Sequence, residues 1–272
     1  MHTLFLAPCG FGGGLNSISL GLISALQRAG LKVGFFKPIA QPFPHDQGRE
    51  RSCVLVERTL NILSPEPLPL EQVERQLADG ELDLLLEDVV SRYQEVAAGK
   101  DVVIVEGMVP TREFNHTSRI NTHLAKSLDA DVILIAAQGS DTLKRLAERI
   151  EIQAQLFGGA KDPKVLGVIL NKVKGDDGAP AFIDGLKAQL PLLGTADFQL
   201  LGAIPFADKL NALRTRDIAE LLDAKVLHAG EAEQRRVDKI VLCARAVPNT
   251  VQLLQPGVLV VTPGDRDDII LA

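Results

Sequence analysis

The stretch Leu4-Phe5-Leu6-Ala7-Pro8-Cys9-Gly10-Phe11-Gly12-Gly13-Gly14-Leu15-Asn16-Ser17 decides the fold. Four apolar residues precede a glycine-rich loop, and apolar residues then return at Leu15, Ile18, Leu22, Ile23 and Leu26. Spacings of three and four put those five on one helical face, so the stretch reads as strand, loop and helix, with Gly30 as the stop. In a parallel α/β sheet this junction favours phosphate, because glycines allow close approach and the free N–H groups of a helix start attract anions.

The loop is an incomplete phosphate cradle. A P-loop reads G-x-x-x-x-G-K-[ST], with the lysine on phosphate and the hydroxyl on magnesium. If Gly14 is the glycine before the lysine, Leu15 stands where Lys belongs, Asn16 where the hydroxyl belongs, and Cys9 replaces the first glycine. The backbone of Gly10, Gly12, Gly13 and Gly14 with Asn16 and Ser17 still offers anion-binding groups. The cation that would neutralise a transferring phosphoryl group is missing, so weak or absent ATP hydrolysis is expected. The plainer alternative is that the glycines only make a tight turn.

Further apolar runs lie at Val33–Phe36, Val102–Val105, Val132–Ala137, Val165–Leu170 and Leu200–Ile204. None alternates, as expected of strands buried on both faces. Helical stretches separate them at Leu70–Leu77, Leu82–Val96, Ile120–Leu128 and Thr142–Leu156. This alternation predicts an α/β fold with a doubly wound, mostly parallel sheet, whose chemistry gathers beyond the strands' carboxyl ends. The Pro- and charge-rich segment between Pro42 and Pro69 reads as a surface insertion with a helix near Val54–Leu63.

Those strand ends supply the other candidates. Lys37, after the second run, can bring the charge that Leu15 lacks, or be an ordinary solvated lysine. Glu106, after the third, is the candidate magnesium ligand, since an acidic strand tip beside a phosphate loop commonly holds that ion. Thr111 and Arg112 can meet an anion, with surface ion pairs the alternative for the arginine. Ser140 or Asp141 can cap the following helix. Asn171, after the fifth run, can read the edge of a purine, or simply serve the turn.

Composition bounds the rest. The 272 residues carry a net charge of −6 with no basic cluster, so neither a nucleic-acid footprint nor attraction to an anionic membrane is indicated. No stretch is long and apolar enough to span a bilayer. Cys9, Cys53 and Cys243 show neither disulfide nor metal spacing, so a reducing cytoplasm is expected. After Asp217 come a short helix at Ile218–Leu222 and closely spaced runs at Lys225–Leu227, Lys239–Cys243 and Gly257–Thr262. They suggest a second, smaller α/β module, and the ending Asp267-Asp268-Ile269-Ile270-Leu271-Ala272 reads as a helix cut short, in keeping with a truncated piece.

Several motifs in this order resemble one family: the glycine loop with Leu15-Asn16-Ser17, Lys37-Pro38-Ile39-Ala40-Gln41-Pro42, Val105-Glu106-Gly107-Met108-Val109-Pro110-Thr111-Arg112, Phe157-Gly158-Gly159-Ala160-Lys161 and Gly202-Ala203-Ile204-Pro205. The whole chain is similar to the N-terminal part of long-form bacterial phosphate acetyltransferases. That resemblance implies a dethiobiotin synthetase-like domain of the P-loop NTPase type over residues 1–213 and a partial DRTGG module over 214–272, with the acyl-transfer domain absent. Lys37, Glu106 and Asn171 look like the Lys-Pro, Glu-Gly and base-side Asn positions of dethiobiotin synthetase, and Leu15 departs from its loop lysine. The implied role is regulatory and oligomer-supporting: a homo-oligomer responding to a small-molecule effector, a nucleotide with magnesium or a central metabolite. The alternative is an independent ATP-dependent, dethiobiotin synthetase-like ligase.

Overall fold

The computed structural model describes residues 1–41, 48–111, 116–159, 162–174, 180–207, 212–244 and 246–271. Six strands, β1 (His2–Pro8), β2 (Val33–Phe36), β3 (Val102–Glu106), β4 (Asp131–Ala137), β5 (Val165–Val173) and β6 (Gln199–Pro205), form one sheet in the order β2-β3-β1-β4-β5-β6. Every pairing is parallel. The expected doubly wound α/β sheet is therefore present, and the glycine loop leaves β1, the strand at which the winding changes direction.

The unbroken apolar runs find their reason in two separate cores. Phe5, Ala7, Val103, Val105, Val132 and Leu134 point into one, while Leu6, Val102, Ile104, Ile133 and Ile135 point into the other. Successive side chains on a strand face opposite ways, so a strand with helices on both sides has no place for a polar residue. The first core is covered by α3 (Leu70–Ala78), α4 (Leu82–Ala97), α5 (Thr117–Ser127), α6 (Leu143–Leu156) and α7 (Pro180–Gln189). The second is covered by α1 (Leu15–Arg28) and α2 (Arg51–Leu60).

Helix α1 stops where expected. Gly30 takes φ +86°, the Gly30 N–H donates to Gln27 O, and the Leu31 N–H donates to Leu26 O, the paired bonds of a left-handed helix end. The cap of α6 differs from expectation. Thr142 Oγ1 accepts from the Arg145 N–H, while Asp141 is drawn away to the guanidinium of Arg149.

The insertion before β3 is more than surface. Its helix α2 begins and ends three residues earlier than the sequence suggests and buries Ser52, Cys53 and Val56. Among the described residues no helix is long and apolar enough to cross a membrane.

The chain divides into two units, Met1–Phe206 and Ala207–Ala272, seven residues before the boundary expected from sequence. In the second, β7 (Lys239–Leu242) pairs in parallel with β8 (Val258–Val261). A helix spans Thr215–Leu221, and short helices follow at Val247–Thr250 and Asp267–Leu271. Cys243, Thr250 and Ile269 are buried there. The Lys225–Leu227 run is an exposed irregular segment, because three residues without a neighbouring strand leave their backbone groups to water.

Candidate functional site

The loop after β1 turns sharply enough to require glycine. Gly14 sits at φ +75°, and a Cβ there would collide with Nδ2 of Asn171. The N–H of Cys9 donates to Ile135 O and fixes the loop's entry. Among the described residues the backbone N–H groups from Gly10 to Ser17 have no backbone acceptor, so the cradle keeps its free donors. Ser17 is exposed and Asn16 half-buried at the first turn of α1, both at the loop's rim.

Leu15 does not face this cradle. It is buried in the core shared with Leu6, Ile18 and Ile133, so the position that carries the P-loop lysine serves packing here.

Lys37 and Glu106 find one another. Register pairs Phe36 with Val105, so the next residue on each strand lies side by side. Lys37 Nζ stands 3.2 Å from Glu106 Oε1 and donates to Gly107 O at 3.1 Å. Ser52 Oγ donates to Glu106 Oε1 at 2.6 Å, and Ser19 Oγ to Oε2 at 2.8 Å. All four side chains are buried. Lys37, expected to bring charge to the glycine loop, is bonded to Glu106 and Gly107 O, and the Glu106 carboxylate, the candidate magnesium ligand, accepts from an ammonium and two hydroxyls. Ser52 comes from the insertion and Ser19 from mid-helix, so nothing local in the sequence marked either.

The segment after β3 is pinned by two side-chain amides. Asn121 donates to Met108 O and accepts from the Met108 N–H, both at 2.8 Å. Gln41 does the same at Val109, at 2.8 and 2.6 Å. Thr111 is exposed beyond this clamp, and Arg112 lies outside the described residues.

Asn171, expected either to read the edge of a purine or to serve the turn, is buried within β5, with Nδ2 donating to Gly13 O at 2.8 Å and Oδ1 accepting from the Lys172 N–H at 2.9 Å. Its amide holds the glycine loop. Lys172, which sequence reasoning passed over, takes φ +57° and donates from Nζ to Gly12 O at 3.0 Å. Asn171 and Lys172 together fasten two successive loop carbonyls.

Beside the loop opens a cleft of about 370 Å³ lined by Phe11, Gly12, residues 137–141, Arg149, Lys172, Lys174 and Phe206. Arg149 donates to Asp141 Oδ2 and to Ala137 O, each at 2.6 Å. Three cations and one carboxylate give the cleft a positive balance.

Residues 2–214 match the AAA domain family. The chain belongs to that AAA domain family. Residues 217–272 beyond the AAA domain match the DRTGG domain. Curated relatives share both parts: the AAA-domain chain is 67% identical over 279 residues to the phosphate acetyltransferase of Pseudomonas aeruginosa and 35% identical over 287 residues to that of Escherichia coli. Each match covers 100% of this chain and 40% of the relative, so the chain spans about two-fifths of the length of the curated relatives it matches, in their N-terminal part. Among solved structures, a complex of a Cyanothece McdA variant with ATP aligns with a TM-score of 0.48 at 18% identity, covering 84% of this chain and 98% of the other.

Proposed function

We propose that this chain is the N-terminal regulatory and oligomer-supporting part of a bacterial phosphate acetyltransferase, the enzyme that interconverts acetyl-CoA and phosphate with acetyl phosphate and CoA. In this reading it performs no acyl transfer itself and uses its altered phosphate loop to sense a nucleotide or metabolite in the cytoplasm. The observation that carries the sensing part is the fate of the catalytic positions. Leu15 is packed in a core and Lys37 is sealed against Glu106, while the loop's N–H groups stay free. A site that keeps its binding backbone while a buried leucine takes the place of the P-loop lysine binds without turnover. The same arrangement weighs against the independent ligase, which needs a lysine on the transferring phosphoryl group.

Support for assembly comes from β6. This seven-residue edge strand carries no charged residue and exposes Leu201 and Ile204. Exposed apolar edges of that kind are normally paired or covered.

The test is to compare the whole enzyme that contains this chain with the same enzyme lacking residues 1–272, following acetyl phosphate formation across a panel of nucleotides and central metabolites. Retained acetyl transfer with lost effector response and a smaller assembly supports the reading. Transfer catalysed by the isolated chain, or unchanged regulation without it, defeats it.

A further inference from the structure

The two edges of the six-stranded sheet are unlike. Edge strand β2 has four residues, all buried. Strand β6, at the other edge, has seven, as many as β1 and β4 at the sheet's centre, and no bridge joins its outer side to another strand among the described residues. Such an edge presents a row of backbone N–H and C=O groups that can template a further strand, and it is usually blunted by charge, an internal proline or a covering segment. Here Gln199-Leu200-Leu201-Gly202-Ala203-Ile204-Pro205 carries no charge, and its proline comes last. Leu200 and Ala203 lean on the first core. Leu201, which the ladder to β5 skips, and Ile204 stand 42% and 43% exposed, and the ring of Phe206 just beyond is exposed as well. A Cβ at Gly202, the middle residue, would meet nothing within 4 Å, so the flank of the strand is open.

We propose that β6 pairs antiparallel with β6 of a second copy of this chain about a twofold axis near Gly202, joining two six-stranded sheets into one. Resting on the oligomer-supporting reading, this pairing names its surface. Three features select a second copy. An uncharged strand faces itself without like charges meeting, whereas a chain of net charge −6 repels its own copies over much of its surface. A twofold contact uses the same patch on both copies, so a single pairing satisfies both free edges. Charges of opposite sign mark the two ends: Asp197 precedes the strand, and Lys174 follows Val173, the residue paired with Pro205. Antiparallel alignment brings Asp197 of one copy to the end that carries the partner subunit's Lys174, and parallel alignment would bring like to like.

The experiment is sedimentation velocity with light scattering on the 272-residue chain, which should show a dimer of twice 29.3 kDa. Leu201→Lys, at an exposed position, should leave the melting temperature unchanged and raise the dimer's dissociation constant at least about a hundredfold, because a charge then stands on the edge of both copies. Asp197→Lys should weaken the dimer about tenfold, and Asp197→Lys/Lys174→Glu should restore it, since the two symmetric pairs are re-formed with reversed sign. Cys9, Cys53 and Cys243 are buried, so an added thiol reports its own neighbour. Under mild oxidation Gly202→Cys should cross-link to its own copy, and Ile204→Cys, which faces Leu200 in this register, should not. A monomeric chain, a dimer indifferent to Leu201→Lys, or cross-linking at Ile204→Cys and not at Gly202→Cys overturns the proposal. A monomer whose β6 amides gain exchange protection only in the whole enzyme gives the edge to another segment and overturns it too. If the chain is monomeric while the enzyme lacking residues 1–272 forms a smaller assembly, the oligomer-supporting reading stands and β6 is not its surface. A β6 dimer with whole-enzyme assembly unchanged by that deletion upholds the pairing and removes the reading.

Discussion

The Lys37 ammonium and the Glu106 carboxylate stand 3.2 Å apart at the ends of adjacent parallel strands, both sealed from solvent. Burying two charges is costly in desolvation, and their attraction offsets that cost only when further hydrogen bonds complete the arrangement. Ser19, Ser52 and Gly107 O provide them. Lys37→Met or Glu106→Gln should each cost about 3–5 kcal/mol in urea denaturation, because the partner is left buried and unpaired. The double variant Lys37→Met/Glu106→Leu should be less destabilised than the sum of two such losses. A single variant costing under about 1 kcal/mol would show that the pair does not form.

Leu15→Lys distinguishes the loop's descent from its present state. From sequence alone it should restore a phosphate-binding lysine. The structure instead places position 15 in the apolar core, where an ammonium lacks partners and leaves packing undone. The expected outcome is a loss of at least about 3 kcal/mol with no gain in nucleotide affinity. Tighter ATP binding by a stable variant would mean that the side chain turns outward.

Burial of Cys9 pushes its thiol up to about 12 from 9.0, with Arg149 opposing weakly, and burial raises Cys53 to about 11. Both folded values lie above the unfolded one, so below about pH 9 the protons are held in both states and stability is unaffected. Above that pH the unfolded chain releases its protons first. Each fully buried thiol then lowers stability by about 1.4 kcal/mol per pH unit until its folded value is reached. Melting temperatures between about pH 8 and pH 11 should fall less steeply for Cys9→Ala than for the parent. Equal slopes would show that Cys9 is not protected.

Asn171→Ala removes the donor to Gly13 O and the acceptor for the Lys172 N–H. Buried groups left unmatched cost about 1–3 kcal/mol. Hydrogen exchange should accelerate at the bonded amides of the loop's two ends, Cys9 and Ile18, which donate to Ile135 O and Gly14 O, while the β3 amides stay protected. Unchanged exchange at the loop would show that Asn171 does not hold it.

Much of the fold was written in short-range pattern. Unbroken apolar runs marked all six strands of the sheet, in β1 to β4 because burial on both faces leaves no alternation and in β6 although that edge strand is largely exposed, and Gly30 marked the end of α1 because the chain must turn left-handed there. The site was less legible, since its partners meet only through register. The pairing of Lys37 with Glu106 depends on β2 lying beside β3, and Ser52 arrives from an insertion whose composition resembles surface. Asn171 and Lys172 carried a readable clue, a lysine at a strand tip beside a loop that lacks one. Which of the two turns inward is set by the φ of Lys172, and spacing does not reveal that. Lys225–Leu227 failed as a strand for the converse reason: apolar residues without a neighbour to pair with make no sheet.

The central claim is that this phosphate loop binds but does not turn over. Its most direct test is phosphate release by the purified chain in saturating ATP and magnesium. The predicted rate is indistinguishable from the protein-free blank, and unchanged in Lys37→Met variants that remain folded. Sustained release at an enzyme-like rate, abolished by Lys37→Met or Glu106→Gln in folded protein, would contradict it.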